Sequence, residues 1–342
     1  MARTESASVP GKTRSTAPLM VAISGAEPFR LADHMGVESG FPRINWNAVT
    51  DWVETLDAPL QSQAWGDVEV AWLLHLRDHL GLSYRVEHRD KALLLSSLEA
   101  NVAQSTLDFM TKSVARIHRV LEGVAVSPQW GHDVLVVFDD DDTYYRYVSH
   151  FYEEAGEFAR SGGMFVNDGC SHFVTVKSDL RSVEPTVVHE LTHSFLSHLP
   201  LPAWLNEGLA VNTERRLTPP FGPDHLTPAQ MHAKHQSFWG PEEIQQFWSG
   251  KSWLRPDDAN MLSYDLARIL VEQFATDWPA FRNFVLAANI DDSGNAAARE
   301  YLHIDLGAAV CAVLEMKPTD AWKPDPATWS ELPERGAFRD DA

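Results

Sequence analysis

The sequence predicts an α+β fold: a small mixed sheet, one buried helix carrying the most distinctive side chains, and a largely helical C-terminal part. Three observations predict it. Short strand-like runs are confined to about residues 82–176, and helix-capable apolar segments occupy the chain on both sides. The stretch 186–199 contains neither glycine nor proline and holds His189, Glu190 and His193.

Taken in order, the first eighteen residues are rich in Ser, Thr and Ala, include Pro10 and Pro18, and are expected to be disordered. Residues 45–82 contain several helix-capable runs, notably 70–80, and 82–88 enters a strand. The segment 98–121 places Val102, Met110, Val114, Ile117 and Leu121 near helical spacing and reads as scaffold core. An apolar run at 134–138 fits a buried strand, ended by the four acids Asp139 to Asp142. Those acids lack the spacing of a calcium-binding loop and read as a solvated turn opening the next helix. That helix brings Tyr144, Tyr145, Tyr147, Phe151 and Tyr152 for packing or for lining a pocket. Residues 162–166 and 172–176 read as two strands around the turn Asn167-Asp168-Gly169.

Beyond residue 199 the pattern is helical. A loop or hinge at 219–223 precedes expected helices at 227–235, 241–247, 262–274 and 278–287, with further candidates at 297–301 and 306–316. Pro318, Pro324, Pro326 and Pro333 disfavour a continuous helix at the end, where Trp322 and Trp329 can pin an extended tail.

Charge narrows the partners. Twenty-eight basic against 48 acidic residues give a formal charge of -20, which argues against nucleic acid or an anionic membrane surface. The run 19–23 is too short for a secretory core, and no stretch reads as transmembrane. Cys170 and Cys311 are isolated and lack metal-finger spacing, which fits a reducing compartment, so a cytoplasmic location is expected.

The His-Glu-x-x-His pattern is useful only on a helix, where four-residue spacing returns both imidazoles to one face. A start near Glu184-Pro185 suits the first turn, and Val187, Val188, Leu191, Phe195 and Leu196 make the helix internal. Glu190 lies about 100° around from His189, better placed as a general base than as a ligand. Leu199-Pro200-Leu201-Pro202 stops this helix, and a second one from Ala203 brings back Glu207, fourteen residues after His193. Trp204, Leu205, Leu209 and Val211 surround that glutamate, which needs a cation or hydrogen bonds to stay charged in apolar company. Gly208 permits close approach of these two helices. Two His and one Glu are a plausible donor set for Zn2+, whereas the bland alternative is a core helix with two hydrogen-bonded histidines.

At these residues the chain resembles the gluzincin metallopeptidases, especially compact peptidase-MA-like proteins with Trp-Leu-x-Glu-Gly-Leu-Ala after the active helix. The resemblance is sharp over 184–214 and extends over about 84–274. It implies His189, His193 and Glu207 as zinc ligands, Glu190 as base, and hydrolysis of a peptide or protein substrate by metal-activated water. It also implies a zincin-like catalytic unit with a strand beside the cleft, and a tyrosine or histidine that stabilises the oxyanion. Tyr264 is the preferred candidate, a packing phenol being the alternative, with His235 and His172 as substitutes. The sequence departs from the pattern at two places. Leu196 and Leu199 stand where a metzincin has glycine and histidine, and Val211 stands where larger thermolysin-type enzymes have an aspartate. Hydrogen-bond partners for the imidazoles must therefore come from elsewhere, with His172, Asn206, Asn212 and Glu214 as candidates.

The expected organisation is a disordered terminus at 1–18, a helical extension at 19–82, a zincin-like catalytic subdomain at 83–218, a helical subdomain at 219–317 and an extended tail at 318–342. Two other functions fit the same residues: a structural zinc site closed by a fourth protein ligand, or an inactive binding module that captures a chain along 172–176.

Overall fold

The computed structural model describes residues 16–151, 163–218 and 226–329. Most of the expected disordered terminus, Tyr152, Gly162 and the expected hinge at 219–223 lie outside the described residues. The N-terminal part comprises α1 (Leu31–His34), β1 (Met35–Glu38), β2 (Phe41–Ile44), α2 (Trp46–Glu54) and α3 (Ala58–Leu80). The sheet region follows, with β3 (Arg85–Arg89), β4 (Ala92–Ser96), α4 (Ala100–Val120), β5 (Asp133–Phe138), α5 (Asp141–Val148), β6 (Gly163–Asp168) and β7 (Cys170–Val176). The rest is helical: α6 (Leu180–Leu196), α7 (Ala203–Leu217), α8 (Pro228–Phe238), α9 (Pro241–Ser249), α10 (Asp258–Phe274), α11 (Trp278–Ala287), α12 (Asn295–Ala297) and α13 (Leu306–Val313).

The sheet has the order β3-β4-β5-β7-β6, with β4, β5 and β7 parallel and the outer strands β3 and β6 antiparallel to their neighbours. Side chains alternate across it. Leu94, Leu135, Val137 and Phe173 enter a core shared with α4, α6, α7 and α10. Leu93, Leu95, Val134, Val136, Phe138 and Val174 enter a second core shared with α2, α3 and α5. Because both faces are covered, β4 and β5 are buried at every position and show no alternation of polarity in the sequence.

Composition explains why β4 escapes a sequence reading that finds β5, since burial is the same for both. Its run of leucines has no β-branched residue and no period of two, and leucine equally suits a helix. The β1–β2 hairpin is likewise absent from the expected helical extension. Its turn residues Ser39 and Gly40 have φ of 50° and 83°, the left-handed geometry of a tight hairpin, but Ser-Gly is a weaker signal than Asn-Gly. A buried carboxylate fastens the N-terminal layer to the sheet. Glu69 of α3 accepts hydrogen bonds from Trp65 Nε1 at 2.8 Å and from the His132 backbone N–H at 2.9 Å, just before β5.

Local signals place the elements around the site. Asp140 caps α5 by accepting from the Thr143 backbone N–H at 2.8 Å, as expected for the acidic turn. The helix α6 starts at Leu180, one turn before the expected position, so that Pro185 lies inside it. Proline removes only one intrahelical bond, and the added turn buries Val183 against the core. Val187, Val188, Leu191, Phe195 and Leu196 are all buried. Full burial of a side chain of this kind contributes about 1.5–3 kcal/mol, so α6 is anchored far more strongly by packing than by propensity. The small mixed sheet, the buried helix and the helical C-terminal part form a zincin-like α+β architecture.

Candidate metal centre

One turn of α6 separates His189 from His193, and their ring centroids lie 4.8 Å apart. The turn at Pro200 and Pro202 reverses the chain, so α7 packs back along α6 and presents Glu207 to both rings. Glu207 Oε2 is 3.2 Å from His189 Nε2 and 3.4 Å from His193 Nε2. One donor atom from each residue falls within 4.8 Å of the others, a group able to chelate a metal ion. The side chains of His189, His193 and Glu207 are 14%, 10% and 22% exposed, so the group is largely withdrawn from water without being sealed.

The opposite ring nitrogens decide how the imidazoles face. His189 Nδ1 is 3.1 Å from Glu214 Oε2, and His193 Nδ1 is 3.0 Å from Asn206 Oδ1. A carboxylate or an amide oxygen only accepts, so each Nδ1 donates a proton there, while each Nε2 is turned to Glu207. Two imidazole Nε2 atoms and a carboxylate oxygen, with the far nitrogens tethered, fit the chemistry of a zinc site. Among the described residues no fourth His, Cys, Asp or Glu joins this group.

The charges respond to one another. Burial alone would lower the His189 pKa, but hydrogen bonds to Glu207 and Glu214 outweigh it and raise the pKa well above the ordinary value. For His193 the Glu207 charge likewise overcomes the burial penalty. Glu207 is held far below the usual carboxylate range, because His193 and His189 more than offset its burial. Glu190 moves the other way: burial raises its pKa, and the attraction of His189 and His193 offsets this only in part. The backbone N–H of Phe165, on the sheet-edge strand β6, also favours the charged carboxylate, but more weakly than the two histidines. A Cβ on Gly163 would lie 2.4 Å from Thr186 Cγ2 and 3.6 Å from Glu190 Oε1, so the glycine lets β6 pass close over α6.

Several expectations are redirected. His172 lies on the other core, its Nε2 2.7 Å from Tyr147 Oη and its Nδ1 2.8 Å from the Cys170 carbonyl, so it orients neither candidate ligand. Asn212 donates to the carbonyls of Gly208 and Arg268 instead of to an imidazole. Gly208 permits close approach to α10, not to α6: a Cβ there would lie 2.7 Å from the Ala267 carbonyl oxygen. The strand at 172–176 is paired on both sides, by β5 and β6, and has no open edge for a captured chain. The edge position belongs to β6. His235 is committed to Asp265 at 3.0 Å and to the Trp239 indole at 2.8 Å. The Tyr264 ring centroid is 6.3 Å from that of His189 and 6.3 Å from that of Trp253, so this phenol borders the three-donor group and also packs. The influence of the Phe165 N–H on Glu190 has no sequence signal, since it comes from a backbone group.

No helix among the described residues is long and apolar enough to cross a membrane. A scan against known protein families gives no match, and no curated protein is detectably similar to the chain.

Proposed function

We propose that this chain is a zinc-dependent peptidase of the gluzincin type, hydrolysing peptide bonds with activated water. The observation that carries this reading is the convergence of three donors, with Glu190 buried beside two of them. Zinc held by His189, His193 and Glu207 would supply Lewis acidity that polarises a carbonyl and makes a water molecule easier to deprotonate. Glu190 takes the proton as the water oxygen bonds to the carbonyl carbon, and returns it to the nitrogen as the carbon–nitrogen bond breaks. No covalent link to the enzyme forms. Tyr264 donates a hydrogen bond to the negative oxygen that develops in the transition state. The edge of β6, unpaired on its outer side among the described residues and close to Glu190, suits an extended peptide backbone better than the interior strand at 172–176. A three-donor group among the described residues favours hydrolysis over a structural site, which is usually closed by four protein ligands.

The test is zinc-dependent cleavage of a diverse peptide library. Glu190→Gln is expected to keep one equivalent of zinc while turnover falls by about 10²–10⁴-fold. Undiminished turnover in that variant removes Glu190 from the mechanism, and no cleavage by the zinc-loaded wild type refutes the peptidase reading.

A further inference from the structure

We infer that Glu214 is a positioning residue for the metal site, replacing from one turn further along α7 a carboxylate that the chain lacks at position 211. This deepens the proposed function and rests on its reading of His189 as a zinc ligand. Glu207 and Glu214 are seven residues apart on one uninterrupted helix, a spacing of nearly two full turns that puts them on the same face. His189 lies between them: its Nε2 is 3.2 Å from Glu207 and its Nδ1 3.1 Å from Glu214. Two turns of helix rise about 10.5 Å over seven residues, enough to admit an imidazole and a hydrogen bond at each end. Val211, on the intervening turn, has no hydrogen-bonding side chain to offer the ring.

The two imidazoles are held unequally. His193 has the neutral Asn206 amide at its Nδ1, whereas His189 has an ionisable carboxylate there. A carboxylate at Nδ1–H fixes the tautomer and makes the far nitrogen a stronger donor, so Glu214 sets both the orientation and the basicity of one ligand. Its own place is secured at the end of α7, where the Thr218 backbone N–H and hydroxyl both donate to the Glu214 carbonyl, at 2.9 and 2.8 Å. Among the described residues the carboxylate reaches no cation other than the imidazole, and its side chain is 30% exposed, so removing it leaves no buried unpaired charge.

The experiment compares wild type with Glu214→Gln and Glu214→Asp, measuring zinc affinity by competition with a chromogenic chelator and melting of the metal-free proteins. Histidine-labelled NMR of the zinc-loaded protein reports the His189 Nδ1–H proton. Glu214→Gln is expected to weaken zinc binding 10–100-fold and to shift that resonance, with metal-free melting little changed. Glu214→Asp, one methylene shorter, is expected to recover only part of the affinity. Wild-type affinity in Glu214→Gln, or an unmoved resonance, overturns the positioning role while leaving the peptidase reading intact. Weakened zinc binding in the variant, with no cleavage by the wild type, supports the positioning role and refutes the peptidase reading. If Glu214→Gln fails to fold, full wild-type zinc affinity in Glu214→Asp overturns the proposal, and partial loss supports it. A wild type that binds no zinc overturns both.

Discussion

Asn206 Oδ1 lies 3.0 Å from His193 Nδ1, so the residue immediately before Glu207 orients one of the two imidazoles that Glu207 faces. A single turn of α7 thus supplies both a candidate ligand and the support for another. Because the amide oxygen accepts the Nδ1 proton, His193 is left with its Nε2 directed to Glu207 and the candidate metal position. Asn206→Ala is expected to weaken zinc binding by about 10–100-fold, as measured by chelator competition. Unchanged affinity would show that packing alone holds the ring.

Tyr264 has two duties to separate, since its ring borders His189 and also contacts Trp253. Tyr264→Phe keeps the ring and removes the hydroxyl. Loss of an oxyanion donor is expected to lower kcat by about 10²–10³-fold with KM and melting temperature nearly constant. A kcat within twofold of wild type would leave Tyr264 as a packing residue.

Gly208 sits where α7 meets α10, and a Cβ there would lie 2.6 Å from Val271 Cγ2 and 2.7 Å from the Ala267 carbonyl oxygen. The backbone oxygen cannot rotate away. Gly208→Ala is expected to cost about 1–3 kcal/mol of stability through overpacking. It should also weaken zinc binding, because Glu207 is the adjacent residue. Denaturant unfolding of the metal-free protein and a zinc titration read the two effects, and melting at the wild-type midpoint would contradict the close contact.

In the other core from the candidate metal centre, burial pushes the His172 pKa down to about 4. The folded state therefore resists charging a ring that titrates near 6.5 when unfolded. Its contribution is complete above pH 6.5 and is lost as pH falls from 6.5 to 4, up to about 3 kcal/mol. Asp133 acts in the opposite sense: burial raises its carboxyl pKa to about 6, so the folded state gains stability as pH falls through 6 toward the ordinary carboxylate value. Comparing wild type with His172→Gln isolates the histidine. Urea unfolding at pH 7 and pH 4.5 is expected to show a smaller acid-induced loss in the variant, and equal losses would count against the buried neutral ring.

The three-donor cluster was legible because it depends on local geometry. Spacing of four residues on a helix aligns His189 with His193 whatever surrounds them, and the proline-rich turn at 200–202 sends Glu207 back by simple chain reversal. The helices α4, α10 and α11 were legible for the same reason, their apolar periodicity being a property of neighbouring residues. A strand buried on both faces offers no such period, so β4 was hidden among leucines.

What the amino-acid order determined alone is therefore the inventory: which side chains share a helical face and where the chain must turn. Tertiary structure decided their partners. It selected Glu214 and Asn206 for the imidazoles, sent His172 to the opposite core, gave a sheet edge to β6 and laid that strand close to Glu190. Those choices join residues distant in the chain, and the packing of two cores against one sheet fixes them; no local preference of the backbone encodes such distances.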